Sequence, residues 1–270
     1  MSNRSSNIGL FDSGVGGLTV ASAIRNILPG ENMIYFGDTA HLPYGDKSRE
    51  SIIDYSIRIA DFLLSKDSKI ILIACNSASS NAYKEVKAHV GARAIVMNVI
   101  QPVVDFTVYN ENSSNIGVIG TKATINSQTY QDEIISRDPT KKVSSLATPL
   151  FVPMIEEGFI FDDISNAIIR SYLSKKELEG IDTLILGCTH YPIIKNQISR
   201  FFNFNVHVID TAKIVAENLR DTLKKNDLLN NNNNNGKDQF YVSDHTEYFS
   251  VIAKMFFGAD IQMAKKNIWS

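Results

Sequence analysis

The chain contains two cysteines, Cys75 and Cys188, and both stand in the same local grammar. Cys75 lies in ILIACNSAS and Cys188 in LILGCTHYP: an aliphatic run, a small residue, the thiol, then two polar residues. A cysteine at the carboxyl end of a buried parallel strand, just ahead of a helix, faces that helix's positive end, which favours thiolate. One such residue alone reads as a small buried hydrophobe. Two in matching settings suggest paired chemistry. A thiolate on one side of a carbon can remove its proton while a thiol on the other side delivers one, which inverts a stereocentre without a cofactor. The carbanion then needs oriented donors, and Asn76, Ser77, Thr121 and Thr189 are groups of that kind. Asp12 and His190 could tune the two sulfurs separately, one ionised and one protonated. The zinc spacings C-x-x-C and H-x-x-x-H are absent, and no metal is expected.

Two further segments could meet a ligand. GLFDSGVGGLTV, starting at Gly9, reads as a strand, a glycine turn and a helix start, a geometry that cradles anions on backbone N–H groups. No Gly-Lys-Ser/Thr follows, and Thr19 replaces the third glycine of a dinucleotide fingerprint. The plainer reading is a tight turn with close helix–strand packing; the sharper one notes Asp12 and Ser13 at the strand tip, where α/β sheets present ligands. Pro43, Tyr44 and Gly45 form a second turn whose amides could meet a carboxylate, and Asp46 is expected to cap the helix that follows.

These residues need a scaffold that brings distant strand ends together. Buried, β-branched runs at 8–11, 33–36, 70–74, 94–98, 116–119, 143–147, 183–186, 206–209 and 240–242 read as strands. Helix-like stretches at 18–28, 48–65, 77–90, 124–136, 162–173, 193–202 and 211–224 alternate with them, and a further strand and helix are expected after the asparagine run. This alternation predicts the α/β class with parallel sheets. The chain also repeats itself: NIGLFDS at Asn7 and NIGVIGT at Asn115 match, and the spacing from Asn7 to Cys75 nearly equals that from Asn115 to Cys188. Two like α/β units facing each other would bring both thiols to one cleft.

Bulk properties exclude several classes. At 270 residues, with 44% hydrophobic and 21% charged residues, the chain can bury an ample core. A net charge of −2 and a pI of about 6.2 give no electrostatic footprint for nucleic acid or a membrane surface. The N-terminal residues lack a signal-peptide core, and no apolar stretch approaches membrane-spanning length. A cytoplasmic protein with free thiols is expected. Six consecutive asparagines, 230–235, predict a disordered surface loop near 227–237.

In combination and order, IGLFDSGVGGLTV, YFGDTAHLPYG, ACNSAS, GVIGT, PLFVPMIEEG, LGCTHYP and FYVSD closely resemble the glutamate racemases of the aspartate/glutamate racemase superfamily. The resemblance spans essentially the whole chain. It implies interconversion of L- and D-glutamate, supplying the D-isomer for peptidoglycan, without pyridoxal phosphate or metal. It implies that Cys75 and Cys188 are the acid/base pair, with Asp12 and His190 assisting them. Ser13, Pro43, Tyr44, Gly45, Asn76, Ser77, Thr121 and Thr189, together with Asp12 and His190, match the substrate-contacting motifs, and Glu156 stands in a similar one. The implied fold is two similar doubly wound parallel-sheet domains facing each other across a central cleft. The first is expected to comprise 1–98 plus 210–270 and the second 99–209, and a homodimer is expected. One departure is visible: the usual Cys-Asn-Thr reads Cys75-Asn76-Ser77, which keeps the hydroxyl and loses a methyl. A racemase acting on another acidic amino acid such as aspartate, a protein-binding role and a dinucleotide-dependent oxidoreductase are the rival readings.

Overall fold

The computed structural model describes residues 3–110, 112–230, 235–259 and 261–269. The first half of the chain alternates β1 (Asn7–Asp12), α1 (Leu18–Ile27), β2 (Met33–Gly37), α2 (Arg49–Ser65), β3 (Ser68–Ile73), α3 (Asn76–Val90) and β4 (Ile95–Asn98). After α4 (Ile100–Tyr109) a second alternation runs through β5 (Asn115–Gly120), α5 (Lys122–Asn126), α6 (Thr129–Arg137), β6 (Lys142–Ala147), α7 (Phe151–Glu156), α8 (Asp163–Leu173), β7 (Thr183–Gly187), α9 (Lys195–Phe201) and β8 (His207–Val208). The chain then continues through α10 (Thr211–Lys225), β9 (Asp238–Val242), α11 (Glu247–Phe257) and β10 (Met263–Lys265).

Two parallel sheets result. One has the order β10-β9-β2-β1-β3-β4 and the other β6-β5-β7-β8. The expected doubling is thus present as topology: β2-β1-β3-β4 and β6-β5-β7-β8 carry the same order. The two NIG strands, β1 and β5, hold equivalent central places. Each needs its glycine for the same reason. A Cβ on Gly9 would stand 2.7 Å from Ser68 Oγ, and one on Gly117 would stand 2.9 Å from Ile181 Cδ1. Every residue of β2, β3 and β7 is buried, as strands covered on both faces must be. One hydrophobic core runs from Ile8 and Leu10 of the first sheet to Ile116 and Val118 of the second, by way of α1, α4 and α10. A second core, built on Phe11, Ile71 and Ile73, lies under α2 and α3.

Three expectations need correction. The helix foreseen over 124–136 is two helices, separated at Gln128, whose φ of 56° is left-handed and cannot continue an α-helix. Ser48, not Asp46, caps α2, accepting from the Ser51 N–H at 3.2 Å, while Asp46 pairs with Lys122 at 3.2 Å. α4 went unforeseen; its Pro102 falls in the first turn, where the missing N–H costs nothing. Of the asparagine run, 231–234 lie outside the described residues, so the disorder expected there does too. On either side, the Asn230 N–H donates to Glu31 Oε1 at 2.7 Å and the Gly236 N–H to the Pro29 carbonyl at 2.8 Å. Among the described residues no helix is long and apolar enough to cross a membrane.

Candidate active site

In parallel sheets the carboxyl ends of the strands share one edge, and the loops there present chemistry. Asp12 ends β1, Cys75 follows β3, and Cys188 follows β7 directly. Both cysteines are buried and free. They line one cavity of about 30 Å³, together with Asn76 and Ser77 from the first half and Thr189 and His190 from the second. Ser13, the turn of Pro43, Tyr44 and Gly45, and Thr121 complete its predicted wall, and Leu42, Val152 and Gly187 add to it. Glu156, in contact with His190, stands outside this wall, and so does Asp12. Asp12 lies beneath the glycine turn, where its Oδ2 accepts from the N–H groups of Gly14 at 3.1 Å and Gly17 at 3.0 Å. The turn's amides therefore serve the protein's own carboxylate. Its Oδ1 is buried without a hydrogen-bond partner, a costly state that calls for an explanation.

The glycine turns also let the halves approach. A Cβ on Gly16 would stand 2.4 Å from the His190 ring, and one on Gly45 would stand 2.8 Å from Thr121 Cβ. Polar contacts cross the same boundary. Ser77 Oγ and Thr121 Oγ1 are 2.9 Å apart, and the Thr19 hydroxyl donates to the Thr189 carbonyl at 3.0 Å. The Tyr130 hydroxyl donates to Asn76 Oδ1 at 2.8 Å.

The two sulfurs have different surroundings. Cys75 is the N-cap of α3, and its Sγ accepts from the Ala78 N–H at 3.4 Å. The helix end is thus where the sequence implied, but its effect is overridden. Burial, followed by the nearby Asp12 charge, pushes the Cys75 thiol up to about 12 despite the amides of the helix and the Ser13 hydroxyl. Cys75 is held as a thiol. Cys188 precedes a 3₁₀ turn over Tyr191–Ile194 instead of an α-helix, and α9 begins only at Lys195. Its sulfur lies 3.7 Å from His190 Nδ1, while His190 Nε2 lies 2.9 Å from Glu156 Oε1. Burial works against the charged imidazole, yet the Cys188 sulfur and the Glu156 carboxylate outweigh it and raise His190 to about 10. Asp12 is raised by burial, against the opposing influence of His190 and the turn amides. One wall therefore carries a neutral thiol, and the other a sulfur with a cation beside it.

Sequence reading missed several contributors. Tyr35, inside β2, donates from its hydroxyl to the Gly14 carbonyl at 2.8 Å and pins the glycine turn. Tyr130 holds Asn76 from across the boundary. Asp38 is fully buried and receives the Tyr44 hydroxyl at 2.7 Å. A tyrosine within a buried run does carry a signal, because its hydroxyl must find a partner, but that signal does not name the partner. Among the described residues no group of three or more His, Cys, Asp or Glu side chains could hold a metal ion.

Comparison with known proteins gives the family and the fold. The Asp/Glu/hydantoin racemase family matches residues 18–219. A glutamate racemase of Geobacter metallireducens is 39% identical over 254 residues, covering 94% of this chain and 93% of that protein. One from Aquifex aeolicus is 40% identical over 256 residues, covering 94% and 95%. The crystal structure of glutamate racemase from Francisella tularensis in complex with D-glutamate superposes with a TM-score of 0.91 at 39% identity, covering 98% of this chain and 99% of that one.

Proposed function

The chain belongs to the Asp/Glu/hydantoin racemase family and is an amino-acid racemase, an isomerase; on that premise we propose that it interconverts L- and D-glutamate with Cys75 and Cys188 as the two acid/base groups. What carries this reading is that both thiols, from equivalent strands of two like sheets, line a single cavity. An ionised sulfur takes the proton from Cα, and the C–H electron pair passes into the adjoining carboxylate. The opposite thiol then gives its proton to the other face of the carbon. The surroundings suit Cys75 to the donor role in the resting protein, and protonated His190 supplies the positive neighbour that Cys188 needs when it is ionised. After one turnover the protons have exchanged places, and the reverse reaction restores them. Asn76, Ser77, Thr121 and Thr189 supply donors for the substrate carboxylates, where charge develops in the transition state.

A cavity of about 30 Å³ has room for little more than water and is too small for glutamate. Glutamate therefore reaches the thiols only when the halves part and closes them around itself on binding. An adjoining hollow of about 260 Å³, walled by Pro43, Thr121, Val152 and Glu156, marks the way in. The Lys122–Asp46 pair at its rim is exposed on both sides and adds little to closure. The proposal divides the chain into 1–98 with 210–270 and 99–209; β9 and β10 joining the first sheet support that division. It extends, on the family resemblance, to a cytoplasmic homodimer that supplies D-glutamate for peptidoglycan.

The test is circular dichroism of L-glutamate and, in parallel, of L-aspartate, with purified protein under reducing conditions and no added cofactor. The glutamate signal should decay to zero while that of aspartate persists. A stable glutamate signal would end the reading, and loss of the aspartate signal alone would move it to the alternative substrate.

Tyr130→Phe gives a second check. It leaves Asn76 Oδ1 buried and unpaired, which costs about 1–3 kcal/mol. The melting midpoint should fall by roughly 2–10 °C. KM for glutamate should rise by about tenfold as the Asn76 amide loses its fixed orientation. Unchanged KM would make Tyr130 a purely structural residue.

A further inference from the structure

Four residues of the cavity wall, Leu42, Pro43, Tyr44 and Gly45, come from one loop, 38–46, which follows β2. The loop holds only two short 3₁₀ turns, so its shape depends on contacts from elsewhere. Those contacts converge on Asp38. It receives the Tyr44 hydroxyl at 2.7 Å and the Ser243 hydroxyl at 2.8 Å, and lies 2.9 Å from His41 Nδ1. His41 is clamped in turn. Its ring stacks on Tyr55 of α2 with centroids 4.2 Å apart and meets the indole of Trp269 edge-on at 4.5 Å. Trp269 also meets Tyr55 edge-on at 5.5 Å, and the Tyr55 ring lies 5.7 Å from that of Tyr44.

Topology explains why residue 269 arrives there. β10 runs parallel to β9, and β9 to β2, so the chain leaving β10 emerges at the same carboxyl edge as loop 38–46. The Lys266 N–H donates to the Val242 carbonyl at 2.8 Å, and the Trp269 N–H to Asn267 Oδ1 at 2.9 Å. The indole N–H is buried without an acceptor, so ring packing holds the side chain in place. Trp269 does not line the cavity; its influence passes through His41 and Tyr55.

We infer that Trp269 is a positioning residue for racemisation: packed on His41 and Tyr55, it holds loop 38–46, and with it Tyr44, in the shape that closes the thiol cavity. This rests on the racemase reading above. The loop that walls the thiol cavity is then braced by a residue distant in the chain.

Trp269 is the only tryptophan in the chain, so intrinsic tryptophan emission reports on this contact alone. Titrating D-glutamate into the wild-type protein should shift that emission saturably. Trp269→Ala should raise KM about tenfold with kcat within about threefold, because a wall that must be ordered on binding weakens ground state and transition state alike. Trp269→Phe, which keeps an aromatic edge against His41, should stay near wild type. Emission indifferent to saturating glutamate in an active wild type would overturn the proposal, as would Trp269→Ala with unchanged KM. If Trp269→Ala does not fold, the wild-type titration decides by itself. A wild type that leaves glutamate optically unchanged would overturn the racemase reading and this inference with it; active wild type with an indifferent Trp269→Ala would overturn the inference alone.

Discussion

Cys75→Ala and Cys188→Ala should each lower glutamate racemisation by at least about 10³-fold, the range that a positioned proton-transfer group contributes. Both residues are buried in the wall of one cavity, on strands that hold matching places in two sheets. Alanine removes the sulfur without disturbing the strand ends that position it, so the variants should fold. The more discriminating measurement is exchange of the α-proton in deuterated water, followed by NMR. An enzyme left with one thiol can still take a proton from the face that the thiol borders and return deuterium to that same face. Cys188→Ala should therefore exchange one enantiomer and Cys75→Ala the other. A variant of either kind that racemises at near the wild-type rate would end the two-thiol mechanism. Two variants that exchange the same enantiomer would show that the sulfurs do not face each other across the substrate.

Asp12→Asn should lower kcat/KM for glutamate by about 10²-fold or more while leaving the melting midpoint nearly unchanged. The two carboxylate oxygens have different tasks. Oδ2 accepts from the N–H groups of Gly14 and Gly17 and shapes the turn, and Oδ1 is buried with no partner. The asparagine carbonyl can take over the first task, which preserves the fold. Its NH₂ then replaces the free oxygen, turning an anionic acceptor into a neutral donor. An ammonium group of the substrate would lose its counter-charge there, and the neighbouring Cys75 would lose the negative charge that helps to keep it protonated. Kinetics and thermal unfolding measured on the same preparation separate the two tasks. Unchanged turnover would confine Asp12 to holding the turn, and loss of activity matched by loss of folding would do so as well.

Much of this protein follows from local chemistry, and local chemistry is readable in sequence. The aliphatic runs form strands because residues such as Ile70 to Ile73 can be buried on both sheet faces. The NIG repeat marks the central strand of each sheet because both places need a glycine to admit a close neighbour. The paired cysteine motifs mark strand ends because a thiol there meets the N-terminal end of the next segment. Which helix ends where was less legible. Gln128 takes a left-handed conformation that its residue type alone does not announce, and a proline such as Pro102 can stand in a helix's first turn as readily as end one. The protonation of the thiols could not be read from the motif either. A helix N-terminus argues for a low value at Cys75, but the depth of burial and the distance to Asp12 decide otherwise, and both are properties of the folded chain. The same holds for the partners of Tyr130, Asp38 and Trp269, whose contacts join segments far apart in sequence. Residue order thus determined which groups are available and on which strand ends they stand. Only the tertiary structure decided which of them meet, because burial and contact distance depend on how one half of the chain closes against the other.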